Sequence, residues 1–127
     1  MLKKIMLTIV APVFLLLSAA VHAEPISIVF SCKLNEGFTK ENAMEVNARW
    51  LKWAREAGDS DEITSSYVTT IIGDTDGFMW VDTYPDIATW GKVVDDDSGS
   101  EFDAEFDEVS TCSGNRMYRG EETVPAK

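Results

Sequence analysis

A carboxylate among aromatic residues is the strongest candidate for chemistry in this sequence. Asp82 lies two residues after Trp80 and two residues before Tyr84, in the segment 78–84 (Phe-Met-Trp-Val-Asp-Thr-Tyr). The composition of this segment predicts a β-strand, on which residues 80, 82 and 84 share one face. A carboxylate held there away from water would have a raised pKa and could donate or accept a proton. The alternative is that Asp82 meets water near the strand end or caps the helix after Pro85.

Two further tryptophans are candidates for the same ligand-binding site. Trp50 belongs to a stripe of apolar residues at spacings of three and four, which predicts a helix. Trp90 lies in a second, shorter predicted helix that Asp86 can cap. Aromatic residues at helical spacing more often form a core than a ligand cage, so packing is the alternative role. Arg49 and Arg116 could bind an anionic ligand or pair with the surplus of acidic residues.

Several classes of site are excluded by what the sequence lacks. The only histidine is His22, so the commonest general base and metal ligand is confined to the N-terminal segment. The acidic runs 95–97 and 74–76 do not continue into the glycine and glutamate of an EF-hand loop. Zinc spacing, a glycine-rich phosphate loop and a nucleophile elbow are also missing from the sequence. We therefore expect no metal and no cofactor.

Residues 1–23 have the features of a cleavable export signal. Two lysines precede an apolar run over residues 5–17, and small residues then lead to a cleavage site before Glu24. The apolar run is too short for a membrane-spanning helix. We expect a periplasmic or secreted protein with one domain, residues 24–127, and no membrane contact after cleavage.

The chain that remains after cleavage is strongly acidic. It keeps all 22 acidic residues, and loss of Lys3 and Lys4 reduces the 11 basic residues to nine. Such a charge repels nucleic acid and anionic membranes, so neither is expected as a partner. In an oxidising compartment the two cysteines, Cys32 and Cys112, are expected to form a disulfide.

The predicted elements follow the order β-α-β-β-α-β. Strands are predicted over residues 26–32, 62–72, 78–84 and 116–124. Thr39 should cap the first helix and Gly58 should end it, and a capping box of Ser98 and Glu101 should open the last helical segment. This order is the ferredoxin-like α+β pattern, a four-stranded antiparallel sheet with helices on one face and the first and last strands adjacent. That pairing would bring the two cysteines together, so the topology and the disulfide support each other.

The first and third predicted strands are apolar on both faces. Met79 and Val81 lie on the face opposite Trp80, and Val29 lies opposite Ile28. A sheet covered by helices on one face should instead alternate apolar and polar residues. We therefore expect a homodimer in which a second sheet covers the free face. The alternative is a monomer with some exposed apolar area.

The sequence resembles the dimeric α/β-barrel superfamily, in particular its small exported bacterial members of unknown role. The features that carry the resemblance are the element order, the closing aromatic-rich helix and three motifs, Trp50-x-x-Trp53, Phe78-Met79-Trp80 and Tyr84-Pro85. It covers most of residues 26–120. The superfamily includes cofactor-independent monooxygenases, haem-degrading enzymes, chlorite dismutases and stress-response proteins. Its haem-binding members hold the iron through a histidine, which the predicted mature chain lacks.

The resemblance implies two kinds of function. The first is an exported homodimer that binds a small apolar or aromatic molecule, or that acts in a stress-related interaction. The alternative is a cofactor-independent, monooxygenase-like enzyme in which Asp82 or a tyrosine transfers a proton. The sequence does not decide whether the protein is an enzyme.

Overall fold

The computed structural model describes residues 24–127, so the predicted export signal lies outside the described residues. The elements in chain order are β1 (Ile26–Leu34), α1 (Lys40–Gly58), β2 (Thr64–Val68), β3 (Phe78–Tyr84), α2 (Ile87–Val94), a 3₁₀ turn (Asp97–Gly99), α3 (Ser100–Val109) and β4 (Ser110–Arg119). The strands form one antiparallel sheet in the order β2-β3-β1-β4. This order confirms the predicted ferredoxin-like α+β fold.

A disulfide joins the first and last strands. Cys32 and Cys112 lie directly opposite each other in the β1–β4 pair, with their Cα atoms 3.9 Å apart. The predicted disulfide is therefore confirmed. It closes a sequence separation of 80 residues and fixes one edge strand to the centre of the sheet.

The prediction that β4 begins at residue 116 was wrong. β4 begins at Ser110 and ends at Arg119, so Cys112 lies within the strand and residues 113–115 are not a turn. Gly114 pairs with Ser31 while Cys112 pairs with the next residue of β1, which leaves Ser113 as an extra residue. Residues 113–115 are types that favour turns, but the strand accommodates them because it forms a β-bulge at this point.

β2 is also shorter than predicted, because it ends at Val68 rather than at residue 72. Its ladder with β3 ends where Val68 pairs with Met79. Ile71 and Ile72, which favour strand by type, are each 91% exposed in the loop that follows. These two residues do not extend β2, because no strand lies opposite them to form the ladder.

α1 begins after Thr39 and ends at Gly58 as predicted, but the residue that takes the left-handed conformation at its end is Asp59 and not the glycine. The hydroxyl of Thr39 accepts a hydrogen bond from the backbone N–H of Asn42, and the Asn42 side chain accepts one from the Thr39 N–H. At the other end Gly58 is still helical, and Asp59 takes the left-handed conformation with φ of 50°. Space explains the glycine, because a Cβ at residue 58 would lie 2.8 Å from Cδ1 of Ile63.

The predicted capping box at the last helix was also wrong. Gly99 precedes α3 and no side chain caps its first turn. Ser98 instead donates its hydroxyl to Asp96 at 2.6 Å and accepts a hydrogen bond from Nε1 of Trp53 at 2.9 Å. The short 3₁₀ turn directs Ser98 to these partners rather than to the helix end.

The two faces of the sheet differ in what covers them. On the inner face the helices bury the alternate side chains of β3, namely Phe78, Trp80, Asp82 and Tyr84. The outer face carries the half-buried Val29, Val68, Met79 and Val81 and the exposed Tyr118, beside polar residues that include Ser27, Thr83 and Arg116. The apolar residues predicted on both faces are therefore present, but the outer face is mixed. Within residues 24–127, no helix has the length and apolar character needed to cross a membrane.

Candidate functional site

Two adjoining clefts lie between the inner face of the sheet and the helices. Their volumes are 380 and 440 Å³. They share four lining residues, Phe30, Trp50, Asp82 and Asp103. These volumes fall in the range of small-molecule sites.

The structure places all five candidate residues at these clefts. Asp82 and Trp50 line both clefts, Trp80 lines the larger one, and Tyr84 and Trp90 line the smaller one. β3 supplies three of the five because its side chains alternate, and α1 and α2 supply the two tryptophans.

Asp82 is buried near the centre of the inner face. It is 6% exposed and lies between Ile28 of β1 and Ser65 of β2. The Ser65 hydroxyl donates to Oδ1 of Asp82 at 2.5 Å, and the Asn47 amide donates to the Ser65 hydroxyl at 3.0 Å. No described residue forms a hydrogen bond with Oδ2. The helix after β3 is capped by Asp86 as predicted, so Asp82 does not cap that helix.

Burial controls the ionisation of this region. It raises the pKa of the Asp82 carboxyl to about 6, and the hydrogen bond from Ser65 opposes that rise only in part. Burial also raises the pKa of the Tyr84 phenol, and the charge of Asp82 adds to the effect. Asp82 can therefore exchange a proton near neutral pH, whereas the Tyr84 phenol stays protonated there and keeps its O–H as a hydrogen-bond donor.

Trp80 carries a buried polar group without a partner. The residue is 4% exposed, and its indole Nε1 has no hydrogen-bond acceptor among the described residues. The ring is held edge-on against Phe78 and Phe106, with centroids 5.6 and 6.2 Å away. An unsatisfied buried donor costs about 1–3 kcal/mol. Such a group is rare enough in folded proteins to need an explanation.

Aromatic rings form much of the remaining lining. Phe30 and Trp50 line both clefts, and Trp53 and Trp90 line the smaller one. Trp53 is fixed by its hydrogen bond to Ser98 and by the close approach of the backbone at residue 99. The aromatic residues predicted as possible core therefore combine packing with exposure to a cleft.

Sequence reasoning missed several residues of the site, among them Phe30, Asn47, Ser65 and Asp103. Asn47 carried a signal, because it lies four residues after Ala43 on the apolar face of α1, where a polar side chain needs a partner. The pairing of Ser65 with Asp82 had no such signal, since it depends on the register of β2.

The other predicted ligand groups are not brought to the clefts. Arg49 forms an ion pair with Glu105, and Arg116 lies on the outer face of β4 opposite Val29. Within the described part of the chain, no group of three or more His, Cys, Asp or Glu side chains is arranged to hold a metal ion.

The architecture is similar to that of several solved structures. SnoaB, a cofactor-independent oxygenase from Streptomyces nogalater, is 10% identical, with a TM-score of 0.60 over 82% of this chain and 100% of that chain. A conserved protein of unknown function from Bacteroides thetaiotaomicron, described as a possible oxidoreductase, is 11% identical, with a TM-score of 0.55 over 76% and 98% of the two chains. These similarities agree with the ferredoxin-like α+β fold of the chain.

A third similar structure shows the chemical range of proteins with this architecture. Hydroxynitrile lyase from Passiflora edulis is 16% identical, with a TM-score of 0.54 over 80% of this chain and 98% of that chain. No model of a known protein family matches the sequence, and no curated protein does. Identities this low establish the ferredoxin-like fold alone, so function has to be argued from the site.

Proposed function

We propose that the two clefts bind a small molecule with an apolar or aromatic body and at least one polar group. The observation that carries this proposal is the Asp82 carboxyl, which lines both clefts and whose Oδ2 has no hydrogen-bond partner among the described residues. Buried polar groups in folded proteins are almost always paired. A polar group on a ligand in the clefts would give Oδ2 a partner, so part of the cost of burying Asp82 would be recovered on binding.

The residues that line the clefts have two roles in this proposal. The rings of Phe30 and Trp50 supply flat apolar surface to both clefts. Asp82 supplies the polar contact that fixes the orientation of the ligand, and the ring of Trp80 adds apolar surface to the larger cleft. Mostly apolar walls with a few placed polar groups are typical of small-molecule sites. A stress-related interaction would need no such cleft, so the buried polar groups favour ligand binding.

The active species in this proposal is an exported homodimer. The half-buried Val29, Val68, Met79 and Val81 on the outer face of the sheet support the dimer, because a second sheet packed there would remove these side chains from water. The disulfide supports a periplasmic or secreted location, since such bonds persist in oxidising compartments. N-terminal sequencing of the exported protein should then begin at Glu24.

Proton transfer by Asp82 is the second candidate function. A pKa of about 6 matches a group that gives and takes protons near neutral pH. Tyr84 lines the smaller cleft together with Asp82 and can donate a hydrogen bond to a developing negative charge. This candidate needs the same cleft and the same ligand, and it adds turnover of the ligand without a cofactor.

A ligand screen that reads the tryptophan indoles tests the binding proposal. Small aromatic compounds are titrated into the ¹⁵N-labelled protein, and the indole N–H signals are followed by NMR. A binding compound should move the indole signals of Trp50 and Trp80, because both rings line the clefts, and Trp50→Ala should weaken its binding about tenfold, because Trp50 lines both clefts. The control Tyr118→Phe alters an aromatic residue on the outer face and should bind normally. The proposal is wrong if no compound moves an indole signal from the clefts.

The variant Asp82→Asn separates the two candidate functions. If Asp82 only holds the ligand, the amide should reduce affinity and no turnover should be found in either protein. If Asp82 transfers a proton, the wild type should convert a bound compound and the variant should bind it without conversion. Product analysis by mass spectrometry distinguishes these outcomes.

A further inference from the structure

The charged groups that line the two clefts are all of one sign. Five aspartates line them, namely Asp82, Asp96, Asp97, Asp103 and Asp107. No lysine, arginine or histidine among residues 24–127 lines either cleft, and none of the described ion pairs involves these aspartates.

This arrangement is not a simple consequence of an acidic chain. Three other depressions on the same molecule each include a basic side chain. Lys52 and Arg55 line the depression beside α1, Lys33 lines the one beside the disulfide, and Arg116 lines the one on the outer face. Acidic residues without basic ones are therefore a property of the two inner clefts.

Two of the five aspartates are held in place by their neighbours, whereas Asp97, Asp103 and Asp107 are exposed at the rims of the clefts. Asp96 accepts hydrogen bonds from the hydroxyl and the backbone N–H of Ser98, which lower its pKa and keep it ionised. Ser65 holds Oδ1 of Asp82, and Oδ2 has no partner among the described residues. Asp82 is also more than nine-tenths buried, so its charge is poorly compensated by water.

Aromatic rings line the same clefts as these carboxylates. Trp50 and Phe30 line both clefts, and Trp90 lines the smaller one. A cation near the face of an indole ring is attracted by the ring quadrupole, and removal of water strengthens that attraction. Carboxylates and indoles around one cleft therefore favour the same class of ligand.

We propose that the ligand of these clefts is an organic cation, an amine or quaternary ammonium compound with an aromatic or apolar body. This proposal rests on the proposed ligand-binding function and narrows its ligand class. The apolar surface favours an organic cation over a metal ion, because a hard metal ion needs several oxygen ligands in place of its water. An anionic ligand would meet five aspartates and no compensating base.

Three probes of nearly the same shape test the charge of the ligand. 3-Hydroxyphenyltrimethylammonium is a cation, 3-tert-butylphenol is its uncharged isostere, and 3-hydroxybenzoate is an anion. Each is titrated at pH 7.5 and low salt into the full mature protein, and the tryptophan indole signals are followed by NMR. We expect the cation to bind about tenfold or more tightly than the phenol, and the benzoate to bind more weakly than either.

Two matched variants separate a local from a general effect of charge. Asp103→Asn should weaken the cation about threefold or more, because Asp103 lines both clefts, and should leave 3-tert-butylphenol unchanged. Asp61→Asn removes the same charge from an exposed residue outside the clefts and should change neither probe.

The other possible results contradict either the cation proposal alone or the ligand-binding proposal as well. Equal or tighter binding of the phenol would overturn the cation proposal and leave the proposed ligand-binding function standing. If Asp61→Asn and Asp103→Asn weaken cation binding equally, the cation is attracted by general surface charge and not by the clefts. This result also overturns the cation proposal. If none of the three probes moves an indole signal, the ligand-binding function fails and the cation proposal fails with it.

Discussion

Asp82 is a carboxyl group that the folded protein holds at an energetic disadvantage when it is charged. Its pKa rises from an ordinary value of 3.8 to about 6 because burial removes water from the carboxylate. The folded state therefore binds the proton more tightly than the unfolded state does. Stability from this group is fully present below about pH 4 and is lost as the pH rises to about 6.

The variant Asp82→Asn tests this account. An amide keeps the hydrogen bond from Ser65 and has no charge to desolvate. Its stability relative to the wild type should therefore increase by about 1–3 kcal/mol between pH 4 and pH 8. Urea unfolding at the two pH values measures the change, with Asp61→Asn as a surface control. A relative stability that stays constant across this range would show that Asp82 is not desolvated in the folded protein.

The backbone at Gly99 lies against the ring of Trp53. This contact sets how closely the 3₁₀ turn packs on α1 beside the clefts. A Cβ at residue 99 would lie 2.3 Å from a ring carbon of Trp53, whereas one at residue 91 in α2 would meet nothing within 4 Å. Both glycines have ordinary negative φ values. Glycine is therefore required at residue 99 by space and is not required at residue 91.

Gly99→Ala and Gly91→Ala form a matched pair for testing this packing. Gly99→Ala should destabilise the protein by about 1–3 kcal/mol, because either the indole or the 3₁₀ turn must move. Gly91→Ala should stabilise it by roughly 0.5–1 kcal/mol, because alanine is the better helix former. Thermal unfolding measures both effects. Equal effects of the two substitutions would contradict the role assigned to residue 99.

The disulfide constrains the chain as a whole, because it links the first strand to the last. Replacement of Cys32 and Cys112 by serine frees a loop spanning 80 residues in the unfolded chain. The expected loss of stability is about 4–5 kcal/mol on the chain-entropy account. Urea unfolding of the double variant and of the reduced wild type should agree, and non-reducing mass spectrometry should show the bond in the untreated protein. A loss below about 1 kcal/mol would mean that the β1–β4 pair closes without it.

The outer face of the sheet determines the proposed assembly of the molecule. Val81 lies on this face next to Val29, and a lysine there would place a charge inside a sheet-to-sheet interface. Val81→Lys should therefore convert a dimer to a monomer in light scattering at micromolar concentration. Met44→Lys, at an exposed apolar site on α1, is the control and should leave the mass unchanged. A wild-type protein that is monomeric at this concentration would refute the dimer.

Local patterns in the sequence were sufficient for the order of elements and for part of the site. The two-residue period of β3 placed Trp80, Asp82 and Tyr84 on one face whatever their neighbours, because alternation is a property of the strand itself. The caps at Thr39 and Asp86 were predictable for the same reason, since each needs only residues within one turn.

Only the tertiary structure decided which strand residues are paired and which polar groups have partners. β2 ended early and β4 began early because a strand extends only where another strand lies opposite it. The link from Asn47 through Ser65 to Asp82 depends on the register of β2 against β3 and on the position of α1 above both. The unpartnered Trp80 N–H has the same origin, because the neighbours of a buried atom come from segments distant in sequence. The sequence by itself determined the face on which Asp82 lies, and packing decided its burial, its partner and its pKa.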